Sequence, residues 1–354
     1  MSLKLVNLVF KSGSLLALTP AKIEKKRLLF PARAYTVLWI LLFSTGISVS
    51  AVFRKADYDR LTTVQLIMQL VSDIILFILN ISTVVITATK KRQWNKLIEI
   101  LKTFNNNNEK EERFWFSSFL LTLVALLIIL SYETWLWTSI LGVEFFKLYA
   151  VEYFQFYSQF IVHFLIYAFL KLILDRVQNM YKTISLLKVQ SYRRNNFILK
   201  KIKSEFCALA ECVKIFNDIF GWLMLLSIGF AIIEQLESLQ ILILRSQQTI
   251  AIFIYDLMIF TWQMIGTFVN VFLCDLIEQE VRKIELEALQ ITANCVEEKE
   301  IEEMKSLVNI IDRCFPHFTA ARFLDINRKT ILGSLSAVIS FVIVTIQCEN
   351  LNFS

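Results

Sequence analysis

The sequence SFVIVTIQCENLNFS, residues 340–354, is an apolar run that turns polar at Gln347, Cys348 and Glu349. A plain lipid anchor has no use for an amide and a carboxylate at its end, since polar side chains in a bilayer are costly unless they face protein or water. The run is read as a membrane helix, Thr330–Gln347, whose last turns face something other than lipid. Six similar windows precede it: Tyr35–Phe53, Leu61–Thr87, Phe114–Trp137, Val151–Leu174, Ile219–Leu239 and Thr249–Leu273. Each is close to the ~20 residues that cross a hydrocarbon core. Composition agrees: 56% of residues are apolar, 19% are charged and the mean hydropathy is +0.56, well beyond a soluble domain. The expected fold is all-α, a polytopic membrane protein with seven transmembrane helices.

An odd number of spans puts the two ends on opposite sides, and basic residues say which is which. With the N-terminus inside, segments 1–33, 90–113, 171–218 and 275–329 hold 7, 7, 10 and 8 of the 37 Lys and Arg, and only Arg54, Lys55, Arg60, Lys147 and Arg245 fall outside. The expected orientation is therefore N-terminus cytoplasmic and C-terminus extracellular. The net charge of +6 reflects loop placement, not nucleic-acid binding. The orientation is inverse to that of a G-protein-coupled receptor. Neither Asp-Arg-Tyr after the third span nor Asn-Pro-x-x-Tyr in the seventh is present, and Pro20, Pro31 and Pro316 all lie in cytoplasmic segments. No small-residue cleavage site precedes the first span, so no cleavable signal peptide is expected.

The inside segments carry helical patterns of their own. In CDLIEQEVRKIELEALQI, residues 274–291, Leu276, Val281, Ile284, Leu286 and Leu289 share a broad face, and EEKEIEEMKSLVNIIDRCF, residues 297–315, is similar. Breaks are expected at 192–196 and 292–298, with Pro316 ending the last cytoplasmic helix. Cys207, Cys212, Cys274, Cys295 and Cys314 fall on the reducing side and Cys348 on the other, so neither a disulfide framework nor a metal spacing is expected. His163 and His317, the two histidines, lie at different depths with no nucleophile or metal spacing to join them, which argues against an enzyme. No cofactor is expected. A secondary transporter, the alternative from a different class, would show repeats with Gly- or Pro-broken spans, whereas this chain has no internal repeat, seven scattered Gly and no Pro within a span.

Polar side chains inside the spans mark candidate ligand contacts. Gln65, Gln69 and Asp73 repeat at i, i+4, i+8, as do Gln155, Gln159 and His163, so each set forms one stripe. Glu133 and Trp135 end the third span, and Asp256, Trp262 and Gln263 lie in the sixth. These groups either satisfy one another between helices or line a cavity open to the outside. Trp135 also suits an interfacial aromatic belt. Amides, carboxylates and ring faces would suit a sugar, while Asp73, Glu133 or Asp256 could pair a cationic bitter compound.

The run FTAARFLDINRKTILGSLSAVISFVIVTIQ, residues 318–347, resembles the signature region of insect gustatory receptors, relatives of the insect odorant receptors. In that family the seventh helix ends in Thr-Tyr, five apolar residues, then Gln-Phe; here Ser340 and Phe341, five apolar-type residues, then Gln347 and Cys348 take the register. CVKIFNDIFGWLMLLSIGFAII, residues 212–233, and the stretch from Phe272 resemble its fifth-helix entry and sixth-helix exit. The resemblance implies a homo- or hetero-tetrameric, ligand-gated cation channel in the plasma membrane of a sensory neuron, opened by a small-molecule tastant. Family base rates favour a bitter or other non-sugar compound. It further implies a cytoplasmic segment 1–33, six helices over 34–273 with an outward-facing pocket and intracellular loops 90–113 and 175–218, anchor helices over 274–323, a pore-lining helix over 324–350 and an outer tail 351–354. Val344, Gln347, Cys348 and Leu351 would form rings about the pore, and Glu349 a carboxylate ring at its mouth. Cys348 replaces the family's aromatic plug.

Overall fold

The computed structural model describes residues 3–20, 32–59, 61–103, 109–187, 192–244, 250–294, 298–315 and 317–352. Seven long helices match the seven apolar windows: α2 (Ala32–Phe53), α4 (Thr63–Thr89), α6 (Glu109–Leu141), α7 (Glu144–Leu187), α8 (Tyr192–Leu244), α9 (Ile250–Asn294) and α11 (Arg328–Asn352). Five of them, α2, α4, α6, α8 and α9, are long and apolar enough to cross a membrane by length and composition alone. In α7, Gln155, Ser158, Gln159 and His163 dilute the hydropathy, and protein encloses most of that stretch. The apolar window of α8 is 56% buried against 11% for α2, so α8 is central and α2 peripheral. Exposed Leu38, Leu41 and Leu42 on α2 and Leu121, Leu127 and Ile128 on α6 form the apolar belt that lipid requires.

Helices α7, α8 and α9 have 44, 53 and 45 residues, roughly twice what a bilayer needs. Their extra turns enter a layer at one end of the bundle. There α1 (Leu3–Leu15), α5 (Lys91–Thr103) and α10 (Glu298–Cys314) pack on them. The segment 90–113, expected as a loop, contains α5, whose Trp94, Leu97, Ile98 and Leu101 are all buried, an i, i+3, i+4, i+7 stripe. Trp94 meets Phe10 at 5.5 Å and Phe220 at 5.2 Å between ring centroids, locking α1, α5 and α8 together. On α10, buried Met304, Leu307 and Ile311 face the bundle, and the Lys203 ammonium hydrogen-bonds Glu303 and holds its carboxyl below the usual range.

Two boundaries differ from expectation. The break expected at 192–196 is not there: α7 ends at Leu187 and residues 192–196 already begin α8, since the weak helix propensity of residues such as Asn is readily overridden within a long helix. On α9 the buried face is Ile277, Val281, Ile284, Ala288 and Ile291, whereas Leu286 and Leu289 are exposed; the 3.6-residue period places them on the opposite side. The third expectation, a stop before Pro316, is met at Cys314.

Between α10 and α11 lies a hairpin that the sequence pattern does not announce: β1 (Thr319–Ala320) pairs antiparallel with β2 (Leu324–Asp325). Its turn places Ala321 and Arg322 at φ 53° and 64°, the left-handed region that non-glycine residues adopt only under constraint. Asn217 supplies constraint by donating to the His317 carbonyl at 2.7 Å and accepting from the Thr319 amide at 3.2 Å. Arg322 pairs with Asp218 at 3.1 Å, and Arg328, at the start of α11, pairs with Asp275 at 2.6 Å. Helices α8 and α9 thus hold both sides of the entry to α11.

Candidate ligand cavity and its polar wall

A cavity of about 270 Å³ lies between α4, α6, α7, α8 and α9. Its walls are mainly aromatic: Phe156, Phe160, Phe164, Phe230, Tyr167 and Trp262. Phe160 and Trp262 stack with centroids 6.1 Å apart. The hydrogen-bonding groups are Ser118, Thr122, Gln159, His163, Thr267 and Asn270. None of the described lining residues is Asp, Glu, Lys or Arg.

The amides are held in place by α4, α7 and α9. Asn80 donates to the Leu76 carbonyl at 2.8 Å, and its oxygen accepts from Gln159 at 3.0 Å. Asn270 donates toward the carbonyls of Gly266 at 3.1 Å and His163 at 3.3 Å, and its amide nitrogen lies 3.4 Å from His163 Nδ1. The His163 ring packs beside α9 at Gly266, where an added Cβ would stand 3.8 Å from it, in ordinary van der Waals contact.

The structure divides the candidate contacts. Gln159, His163 and Trp262 line the cavity. Gln155, one turn away on α7, is buried outside the lining. Gln65 belongs to the capping box of α4: its Oε1 accepts from the Thr62 backbone amide at 3.1 Å and its backbone N–H donates to the Thr62 hydroxyl. Gln69 and Asp256 are half-buried and outside the lining, and Trp135 is 62% exposed, facing away from the bundle. The side chains of Gln263, Cys348, Glu349 and Leu351 lie outside the described residues. Val344 and Gln347 are exposed on α11.

The carboxylates form a separate network. Buried Arg54 pairs with Asp73 at 3.2 Å and Glu152 at 3.4 Å, and Tyr58 donates to Asp73 at 2.6 Å. Glu133 accepts from Tyr255 at 2.7 Å, and Ser72 hydrogen-bonds Glu234. Asp73 and Glu133 are thus engaged by protein groups. Asn80 and Asn270 were not singled out from the sequence although the signal existed, since each is an intramembrane amide seven residues after a candidate, Asp73 and Gln263, and therefore on the same helix face.

The insect olfactory receptor OR5 from Machilis hrabei has the same fold, with a TM-score of 0.72 at 10% identity over 98% of this chain and 97% of that one. The structure of that receptor in complex with eugenol matches with a TM-score of 0.69 at 13% identity over 98% of each chain. No curated protein matches the sequence at a significant level. A family model described as "7tm Chemosensory receptor" matches residues 6–352, nearly the whole chain, and this multi-pass membrane protein therefore belongs to the 7tm chemosensory receptor family.

Proposed function

We propose that the chain is a gustatory-type receptor subunit that forms a ligand-gated cation channel, opened by a small molecule in the α4–α9 cavity. The carrying observation is the connection between cavity and pore helix. Helix α8 bears Phe230 and Ala231 at the cavity and Asn217 and Asp218 at the hairpin. Helix α9 bears Trp262 and Asn270 at the cavity and Asp275 at Arg328. A ligand that favours one arrangement of these helices would bias α11 through the hairpin, which is all that gating requires. Within the protomer, Ser334 and Val338 are buried on α11, but Leu332, Ile339, Ile343 and Val344 are exposed. This supports a helix shared among copies, four in our reading, with Gln347 toward the pore. The olfactory receptor OR5 is solved with eugenol, a small molecule, and small-molecule binding is proposed here by that likeness. A cavity without described carboxylates favours a non-sugar, uncharged ligand over a sugar or an organic cation.

Whole-cell recording tests the reading. An uncharged aromatic panel should evoke a cation current, and His163→Ala should shift its dose–response while Gln155→Ala, outside the lining, should shift it less. Silence from a broad panel with partner subunits, despite surface expression, would remove the channel assignment.

Orientation has its own test. Cys207 and Cys314 are exposed, whereas Cys212 and Cys274 are buried. With Cys295 and Cys348 replaced by Ser, a membrane-impermeant maleimide should label Cys207 and Cys314 only after permeabilisation. Labelling of intact cells would invert the topology.

A further inference from the structure

Gln159 Oε1 and Asn270 Oδ1 are both buried without a hydrogen-bond partner, and both side chains line the cavity. The two residues are 5% and 1% exposed. An unpaired buried oxygen in a native structure calls for an explanation. The usual one, a misassigned amide, fails here because hydrogen bonds fix both orientations.

For Gln159 the argument runs through a relay. The Leu76 carbonyl can only accept, so the Asn80 nitrogen faces it at 2.8 Å and the Asn80 oxygen faces Gln159. That oxygen requires a donor, which sets the Gln159 nitrogen at 3.0 Å from it and leaves Oε1 on the other side. For Asn270 the nitrogen sits among three groups, the carbonyls of Gly266 and His163 and the His163 Nδ1. Two of these are obligatory acceptors, so reversal would set oxygen against oxygen. When Nδ1 also accepts, the proton of a neutral His163 lies on Nε2.

We infer that the cavity selects a neutral aromatic ligand bearing a hydrogen-bond donor, a phenol or a similar hydroxyl compound, and that Gln159 and Asn270 are the specificity-determining acceptors. This rests on the reading of the cavity as the ligand site. The ring faces of Phe160 and Trp262 accept the aromatic part, and the donor, reaching an oxygen that the lining side chains cover until they shift to admit it, relieves an acceptor that would otherwise stay unpaired among apolar groups. A site built with buried acceptors penalises the analogue that lacks the donor, because its oxygens then remain orphaned. An ether brings no donor and leaves both oxygens orphaned, and a cation finds no described carboxylate in the wall.

The test uses purified full-length protein in lipid nanodiscs and isothermal titration, so it does not depend on channel activity. The probes are monohydroxylated aromatics, each paired with its methyl ether, beginning with 4-ethylphenol and 4-ethylanisole. The phenols should bind roughly ten- to hundredfold more tightly than their ethers. Gln159→Met, which keeps the volume and removes the acceptor, should bring that ratio down severalfold, and because it also takes the donor from Asn80 Oδ1 its melting temperature should fall by a few degrees. A second variant, Asn270→Leu, removes the other acceptor at similar volume. It should lower the phenol-to-ether ratio likewise, so that the reading does not depend on the folding of one variant. Equal binding of phenol and ether overturns the inference and leaves the cavity as the ligand site. A preference that survives Gln159→Met intact overturns the role of Gln159. If no member of the panel binds, the inference falls together with the cavity reading.

Discussion

Gly221→Ala should uncouple the hairpin from α8 and abolish ligand-evoked current. A Cβ built at Gly221 would lie 2.9 Å from the Ala321 amide nitrogen and 3.1 Å from the Thr319 carbonyl oxygen. Both are backbone atoms, so neither can yield by changing rotamer. The turn they belong to already holds Ala321 and Arg322 in the left-handed region, where each non-glycine residue costs about 1–3 kcal/mol and persists only if its surroundings impose it. Pushing the turn away lengthens the Asn217 bonds to the chain at His317 and Thr319 and loosens Arg322 from Asp218. Overpacking of this kind costs about 1–3 kcal/mol, which should appear as a melting temperature a few degrees lower and as faster proteolysis near residue 322. Gly229, two turns along the same helix, supplies the control, since a Cβ there meets nothing within 4 Å. Gly229→Ala should be neutral or stabilising by about 0.5–1 kcal/mol through helix propensity. If the two substitutions behaved alike in melting and in current, the hairpin would not be the link between cavity and pore.

Why this hairpin escaped the sequence reading is instructive. Its two strands have two residues each, too short for any period, and its turn carries Ala-Arg where a tight hairpin turn ordinarily shows Asn-Gly. What holds it is tertiary: Asn217, Gly221 and Glu278 all lie far from it in sequence. The spans were legible for the opposite reason, because lipid imposes a length and a polarity that each segment must meet by itself. The polar stripes were legible as faces but not as depths. Gln155, Gln159 and His163 share a face yet extend over about 12 Å of helix axis. The lower part of that stripe reaches the cavity while Gln155 does not. Asp73 shows the same limit: its position on a face was evident, but its partner Arg54, assigned to an outer loop by its charge, is almost fully buried against it.

The second large effect is expected at that pair. Arg54→Met should leave Asp73 and Glu152 facing each other without their shared cation. Arg54 is 5% exposed, and its guanidinium joins α4 to α7 while lying over the rings of Tyr58 and Tyr149 at 5.5 and 5.6 Å. Removing one member of a buried ion network costs about 3–5 kcal/mol, because the remaining charges are stranded. Most chains should then fail to reach the cell surface, and the purified remainder should melt well below wild type. Arg54→Lys should recover only part of the loss, since a compact ammonium lacks the span of a guanidinium between the two carboxylates and the planar face that lies over the tyrosines. Arg54→Met combined with Asp73→Asn and Glu152→Gln should recover most of it, because no stranded charge remains. These variants also separate the two roles open to Asp73. As a structural ion pair, its effects follow folding and surface level, and the triple variant responds to ligand at normal concentrations. As the counter-ion of a cationic ligand, Arg54→Met would instead express normally and bind organic cations more tightly, since it frees Asp73. That outcome would move the ligand site from the aromatic cavity to the carboxylates of the network.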